Sequence, residues 1–138
     1  MKALCLFLIL IQVMMMLKKG SLTIRAEKGI LNRDTDIIIK MDPYIIFDDG
    51  KHQFKTKVHR GGGINPIWND EFYINYATPF LVFWVFDEDQ FYDDFIGKGS
   101  FILPDECNVG CLFRQDVPIY YEVQEVGLIY LNFQFTVI

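Results

Sequence analysis

Cysteine, histidine and positive charge are all scarce in this sequence. Three Cys in 138 residues is a small and odd number, so no disulfide framework organises the fold. The two His, His52 and His59, stand seven apart with no acid or serine partner in a recognisable arrangement. Nothing there reads as a nucleophile, general base or relay, so no enzymatic activity is expected. With 13 Lys and Arg against 18 Asp and Glu the formal charge is −5, the wrong sign for a general nucleic-acid binder. Charged residues make up only 22%, too few and too diluted by aromatics for a disordered chain. There is no internal repeat and, beyond residue 20, no sustained helical period. What the chain has is apolar material, 51% hydrophobic and 16% aromatic, ample for one compact core.

That material divides in two. Residues 3–17 (ALCLFLILIQVMMML) are apolar apart from Gln12, and Lys18, Lys19 and Gly20 end the run. As a helix, 15 residues reach about 22 Å, against roughly 30 Å of bilayer hydrocarbon. The segment reads as a membrane anchor or transmembrane helix in a thin or pinched bilayer, as a helix embedded in a membrane complex, or as a signal-like sequence. No small residues precede a cleavage point after Met14-Met15-Met16-Leu17, which weighs against the last. One Lys precedes the run, while Lys18, Lys19, Arg25 and Lys28 follow it. The positive-inside rule therefore places the rest of the chain on a cytosolic or matrix-like side, in an endomembrane or mitochondrial setting. The division is 1–19 for the apolar segment and 20–138 for a globular domain.

From Ser21 the period is two, beginning with SLTIRAE at 21–27, as in a half-buried strand. Further strands are expected at 44–47, 54–58, 71–75, 80–86, 99–103, 117–122 and 128–137. The stretch FLVFWVF at 80–86 is apolar without a break, which suggests a central strand covered on both faces. Gly, Pro, Asn and Asp fill the gaps. Eight short strands in this length predict an all-β, eight-stranded antiparallel two-sheet sandwich, preceded by a short apolar N-terminal helix.

Two of the gaps are acidic. The first holds Asp34, Asp36 and Asp42; the second holds Asp87, Glu88, Asp89, Asp93 and Asp94. Taking these eight away would turn the formal charge from −5 to +3, so the acidity is local. In an alternating antiparallel sandwich the connections after strands one and five leave at the same end. Two carboxylate-rich loops meeting there repel each other unless a cation lies between them, and flexible oxygen donors suit Ca²⁺ rather than Zn²⁺. The alternative is a solvated acidic rim. Cys107 and Cys111 share one gap and read by default as free thiols.

Several motifs fall in a familiar order. Gly20-Ser-Leu-Thr-Ile, then Asp36 with Lys40-Met41-Asp42-Pro43-Tyr44, Lys55-Thr-Lys-Val58, Asn65-Pro66-Ile-Trp68-Asn69-Asp-Glu-Phe72, and Asp87-Glu-Asp89 with Asp93-Asp94-Phe95-Ile96-Gly97 resemble the C2 domain family over residues 20–138. The resemblance implies a sandwich whose loops bind Ca²⁺ and dock on anionic phospholipid. It implies five acidic ligands, Asp36, Asp42, Asp87, Asp89 and Asp94, aided by backbone carbonyls near Ile37 and Glu88. The third loop is one residue shorter than the common form, which makes Asp93 an alternative to Asp94. The first loop carries Ile37-Ile38-Ile39 where small residues are usual.

By the same resemblance Ile37, Ile38, Ile39, Phe91 and Tyr92 are loop tips that insert into the bilayer, although one Ile could fold back onto the core. Lys55 and Lys57, two apart and so on one side of a strand, match the family's phosphoinositide-binding surface, or else form a solvated sheet face. Strand one leads directly into the first acidic loop, so both termini leave from the opposite end, as in the circularly permuted type II form. Two functions follow as expectations. One is a non-catalytic, calcium-dependent phospholipid-binding module tethered by its N-terminal segment. The other is a structural accessory subunit of a multi-subunit membrane complex, such as a mitochondrial respiratory assembly, whose sandwich contacts protein subunits.

Overall fold

A computed structural model describes residues 1–16, 20–74, 80–102, 104 and 111–137. Helix α1 spans Lys2–Met16, and eight strands follow: β1 Gly20–Leu31, β2 Pro43–Asp48, β3 Gln53–Lys55, β4 Ile67–Ile74, β5 Phe80–Asp87, β6 Asp94–Ile102, β7 Cys111–Tyr121 and β8 Gln124–Val137. All pairings are antiparallel, in the order β3-β2-β5-β6-β7-β8-β1-β4. Among the described residues the β6–β7 link is a single residue pair, Lys98 with Tyr120. There the ladder turns from one four-stranded sheet into the other, which gives the expected sandwich.

Alternation in the sequence becomes the interior. Leu22, Ile24 and Ala26 of β1, Leu81, Phe83 and Val85 of β5, and Ile129, Leu131, Phe133 and Phe135 of β8 are buried in one cluster. The Phe101, Phe113 and Phe133 rings stack within it, centroids 3.9–5.9 Å apart, where their area and ring geometry both favour packing. Trp68 spans the two sheets, its indole N–H donating to the Pro43 carbonyl at 2.9 Å.

Several expectations change. The apolar β5 is covered on one face only: Val82, Trp84 and Phe86 are half-buried, with Lys98 lying over Trp84. β6 begins at Asp94, five residues before the expected start, although Asp and Gly are poor strand formers. Its glycines are needed for close approach: a Cβ on Gly99 would lie 2.3 Å from the Phe83 ring, and one on Gly97 2.9 Å from Val126. Cys111 is disulfide-bonded rather than a free thiol, while Cys5 is free and exposed. Cys107 and Asn75 lie outside the described residues.

The transmembrane reading of the N-terminal segment is corrected. α1 has 15 residues, and no helix among the described residues is long and apolar enough to cross a membrane. Its large side chains from Leu4 to Ile11 are nevertheless exposed. Register fixes the polarity of the rest. Gly20 pairs with Val137 at one end, which we call the base, and Leu31 pairs with Gly127 at the other, so the described ends of β1 and β8 meet opposite the acidic loops.

Candidate metal centre

Four connections converge at the end that β1 runs towards: β1–β2 (32–42), β3–β4 (56–66), β5–β6 (88–93) and the β7–β8 turn (122–123). Their centre is Asp87. It ends β5 in the same inward phase as Phe83 and Val85, and is fully buried. A carboxylate there needs partners for its lone pairs. Oδ1 accepts the Asp42 N–H at 2.7 Å and Oδ2 accepts the Thr35 hydroxyl at 2.8 Å. Both donors belong to the first loop, so Asp87 ties that loop to the end of β5. Met41, wholly buried, seats the loop on the core, its sulfur accepting the Thr35 N–H at 3.3 Å.

Around Asp87 gather Asp36, Asp89 and Asp94. Each of the four offers one oxygen, and those oxygens all lie within 4.8 Å of one another. Calcium holds oxygens at about 2.3–2.6 Å, so ligands on opposite sides of one ion stand about 4.6–5.2 Å apart. The spread fits one Ca²⁺, and four hard carboxylates on loops are the donor chemistry it takes.

Asp42 stands outside this group. Its Oδ1 accepts the Gly61 N–H at 2.7 Å, and its Oδ2 lies 3.6 Å from the Arg60 guanidinium. Arg60 also donates to Glu88 at 2.7 Å and so links three loops. Gly61 and Gly63 have φ of +69° and +58°, a conformation that favours glycine; Gly61 thereby presents its N–H to Asp42, and Gly63 its own to the Met41 carbonyl at 3.0 Å. Asp93 is also apart, accepting the Tyr44 hydroxyl and, at 3.1 Å, the Asp89 N–H. Asp94 therefore stands in the cluster and Asp93 supports the third loop.

The crowded carboxylates raise the proton affinity of two of their number. Asp89 is pushed up to about 6, first by a hydrogen bond shared with Asp94, then by burial and the charges of Asp87, Asp36 and Asp94. Asp36 is also raised, first by burial and then by Asp87. A divalent cation would reverse both effects.

The loop tips are apolar and uncovered. Ile37, Ile38 and Ile39 are 100%, 95% and 67% exposed, so none folds back onto the core, and Phe91 and Tyr92 are equally open. None of the three Ile has a positive φ, so the loop does not depend on the glycine that usually occupies such positions. Ile64 of the β3–β4 loop adds an apolar group beside Ile37–Ile39. Sequence reasoning missed Ile64 because its loop carries no acid, and missed Thr35 because a lone hydroxyl has no pattern.

Lys55 and Lys57 do not form one surface. Lys55 lies over the Tyr44 ring at 4.1 Å and 3.8 Å from Glu88, whereas Lys57 turns to Asp70 of β4, in the other sheet, at 3.7 Å. β3 ends at Lys55, so the strand period does not extend to Lys57.

Comparison with known proteins agrees with this architecture. A C2 domain of plant extended synaptotagmin 1 superposes with a TM-score of 0.70 at 20% identity, over 88% of this chain and 97% of that one. The paired C2 domains of extended synaptotagmin 2, in a calcium-bound structure, match with a TM-score of 0.67 at 26% identity, over 86% of this chain and 46% of that one. In sequence, GTPase activating protein 1 of Oryza sativa subsp. indica is 34% identical over 83 residues, 59% of this chain and 49% of the relative. The chain thus spans about half the length of the curated relatives it matches. The C2 domain family model matches residues 20–112, more than half of the sequence and all of the strands that carry the acidic cluster, and the chain belongs to the C2 domain family.

Proposed function

We propose that this protein is a non-catalytic, calcium-dependent phospholipid-binding module, tethered through its apolar N-terminal segment. The observation that carries this reading is the set Asp36, Asp87, Asp89 and Asp94, with oxygens within 4.8 Å of one another, bordered by exposed Ile37, Ile38, Ile39, Phe91 and Tyr92. Ca²⁺ held there would remove the negative field that repels anionic lipid, and its open coordination positions would accept lipid phosphate oxygens. Asp42 would join the ligands by exchanging its Arg60 contact for the ion. The calcium-bound state of a similar extended synaptotagmin structure supports the assignment. Lys55, which reaches Glu88 of the third loop, would meet phosphate headgroups once the loops dock.

The test is co-sedimentation of residues 20–138, which lack α1, with phosphatidylserine vesicles in calcium and in chelator, unsubstituted and with Asp87→Asn or Asp89→Asn. Binding is expected only for the unsubstituted domain in calcium. Equal binding in chelator would refute the reading. The uncovered α1 favours one other reading, an accessory subunit whose helix sits among partner helices in a membrane complex; that reading predicts no calcium-dependent lipid capture.

A further inference from the structure

The apolar surface of this protein lies at its two extremities. Apart from α1, every exposed large hydrophobic side chain among the described residues lies in a connection or within two residues of a strand end. At the loop end these are the tips already described, with Ile30, Ile67, Tyr120 and Val123 beside them. At the base they are Tyr73 near the end of β4, Phe80 at the start of β5, Ile102 at the end of β6 and Leu112 near the start of β7. Among the described residues the waist between them carries none. A protein that docks through one end has no need of a second apolar rim, and such rims mark surfaces that meet another phase or partner.

α1 belongs to the base. Only residues 17–19 separate Met16 from Gly20, and four Cα steps reach at most about 15 Å. Gly20 sits at the base because it pairs with Val137. From there β1 rises twelve residues, about 36 Å, before the first loop begins. α1 is also apolar all round. Leu6, Phe7, Leu8, Ile9, Leu10 and Ile11 are consecutive and all exposed, and six positions at 100° each pass more than once round the helix. A protein groove covers one face of a helix; a helix apolar on every face calls for apolar surroundings on every side. At about 22 Å it can enter one leaflet and pass the midplane without crossing. Lys18 and Lys19 follow it in the sequence, where anionic headgroups would meet them.

Resting on the calcium–lipid reading, we propose that the protein bridges two bilayers: α1 and the base rim seat in a leaflet of one membrane, and the calcium loops dock on a second, anionic membrane. One membrane cannot satisfy both ends. Ile37–Ile39, Ile64 and Phe91–Tyr92 come from three loops around the acidic cluster, so no single side of a sandwich lying flat would bury them together. Standing upright on its base, the domain points them away.

The experiment uses the full chain. It is incorporated into dye-labelled phosphatidylcholine vesicles, separated from unbound protein by flotation, and mixed with dense phosphatidylserine vesicles. The dye is expected to pellet with the dense vesicles in calcium, and to be lost from the pellet in chelator or with Asp89→Asn. Leu8→Asp with Leu10→Asp should abolish flotation while leaving calcium-dependent binding of the free chain to phosphatidylserine vesicles. If the native chain does not float, α1 does not seat in lipid and the bridge is refuted. If it floats, and the Leu8→Asp, Leu10→Asp chain binds phosphatidylserine vesicles in calcium but not in chelator, but loaded vesicles capture none, the bridge fails and the calcium–lipid reading stands. If that variant does not bind them in calcium, both fall.

Discussion

Replacing Ile37 and Ile38 together by Ser separates membrane docking from folding. Both side chains are almost wholly exposed, so the folded state loses no packing with them, and stability should stay within about 0.5 kcal/mol of native, as for ordinary surface substitutions. In the docked state the same groups leave water. Full burial of an aliphatic side chain contributes about 1.5–3 kcal/mol, and insertion to roughly half that extent gives about 2 kcal/mol for the pair. At 1.4 kcal/mol per tenfold, vesicle partitioning should weaken by roughly 30-fold. Calcium binding without lipid should be unchanged, because neither Ile side chain carries a ligand atom. The assay is a titration of residues 20–138, which lack α1, with phosphatidylserine vesicles in saturating calcium, alongside thermal unfolding and a calcium titration of the free protein. Partitioning within about twofold of native would refute insertion of the first loop. A large fall in melting temperature would show that the two side chains have folded-state contacts.

Three further outcomes follow from the same geometry. The Asp89 carboxyl, raised from 3.8 to about 6 in the folded protein, binds its proton more tightly folded than unfolded, so metal-free stability should fall as pH rises from about 4 to 6. Calcium must displace that proton; the calcium-induced rise in melting temperature should therefore be small at pH 5 and large at pH 7, and a pH-independent rise would contradict the clustered carboxylates. Thr35→Val leaves one oxygen of the buried Asp87 without its hydroxyl partner, which should cost about 1–3 kcal/mol in urea unfolding with chelator present; an unchanged midpoint would show that Asp87 is held otherwise. Gly99→Ala places a methyl 2.3 Å from the ring of Phe83, its partner on the neighbouring β5, and should destabilise by about 1–3 kcal/mol, and an unshifted urea midpoint would show that the Phe83 ring can move aside to admit it.

Much of this molecule is local in origin. Local patterns placed all eight strands, with period-two alternation at β1 and an unbroken apolar run at β5, because burying a face of a pleated ribbon needs only neighbours along the chain, and GSLTIRAE announces β1 unaided. Boundaries failed where residues serve distant neighbours: β6 starts at Asp94, and its Gly97 admits Val126 from the facing sheet while Gly99 admits the ring of Phe83, its partner on β5. The acidic cluster was legible as two Asp-rich gaps, since like charges are not concentrated in neighbouring loops without cause. Its membership was not. Asp42 and Asp93 carry the same carboxylate as Asp36 and Asp94, yet Arg60 and Gly61 hold the one and Tyr44 the other, and those partners stand far from them in sequence.

An eight-stranded antiparallel sandwich, with its acids in two gaps and an apolar helix in front, is written in the amino-acid order alone, because periodicity, turn residues and charge runs act over a few residues. Folding in three dimensions selected which four carboxylates share one centre. It also left all three Ile of the first loop free, parted Lys55 from Lys57, and collected the exposed apolar groups at both ends and not at the waist. Those outcomes depend on which strand ends meet across the fold, and that is set by register and packing among residues tens of positions apart.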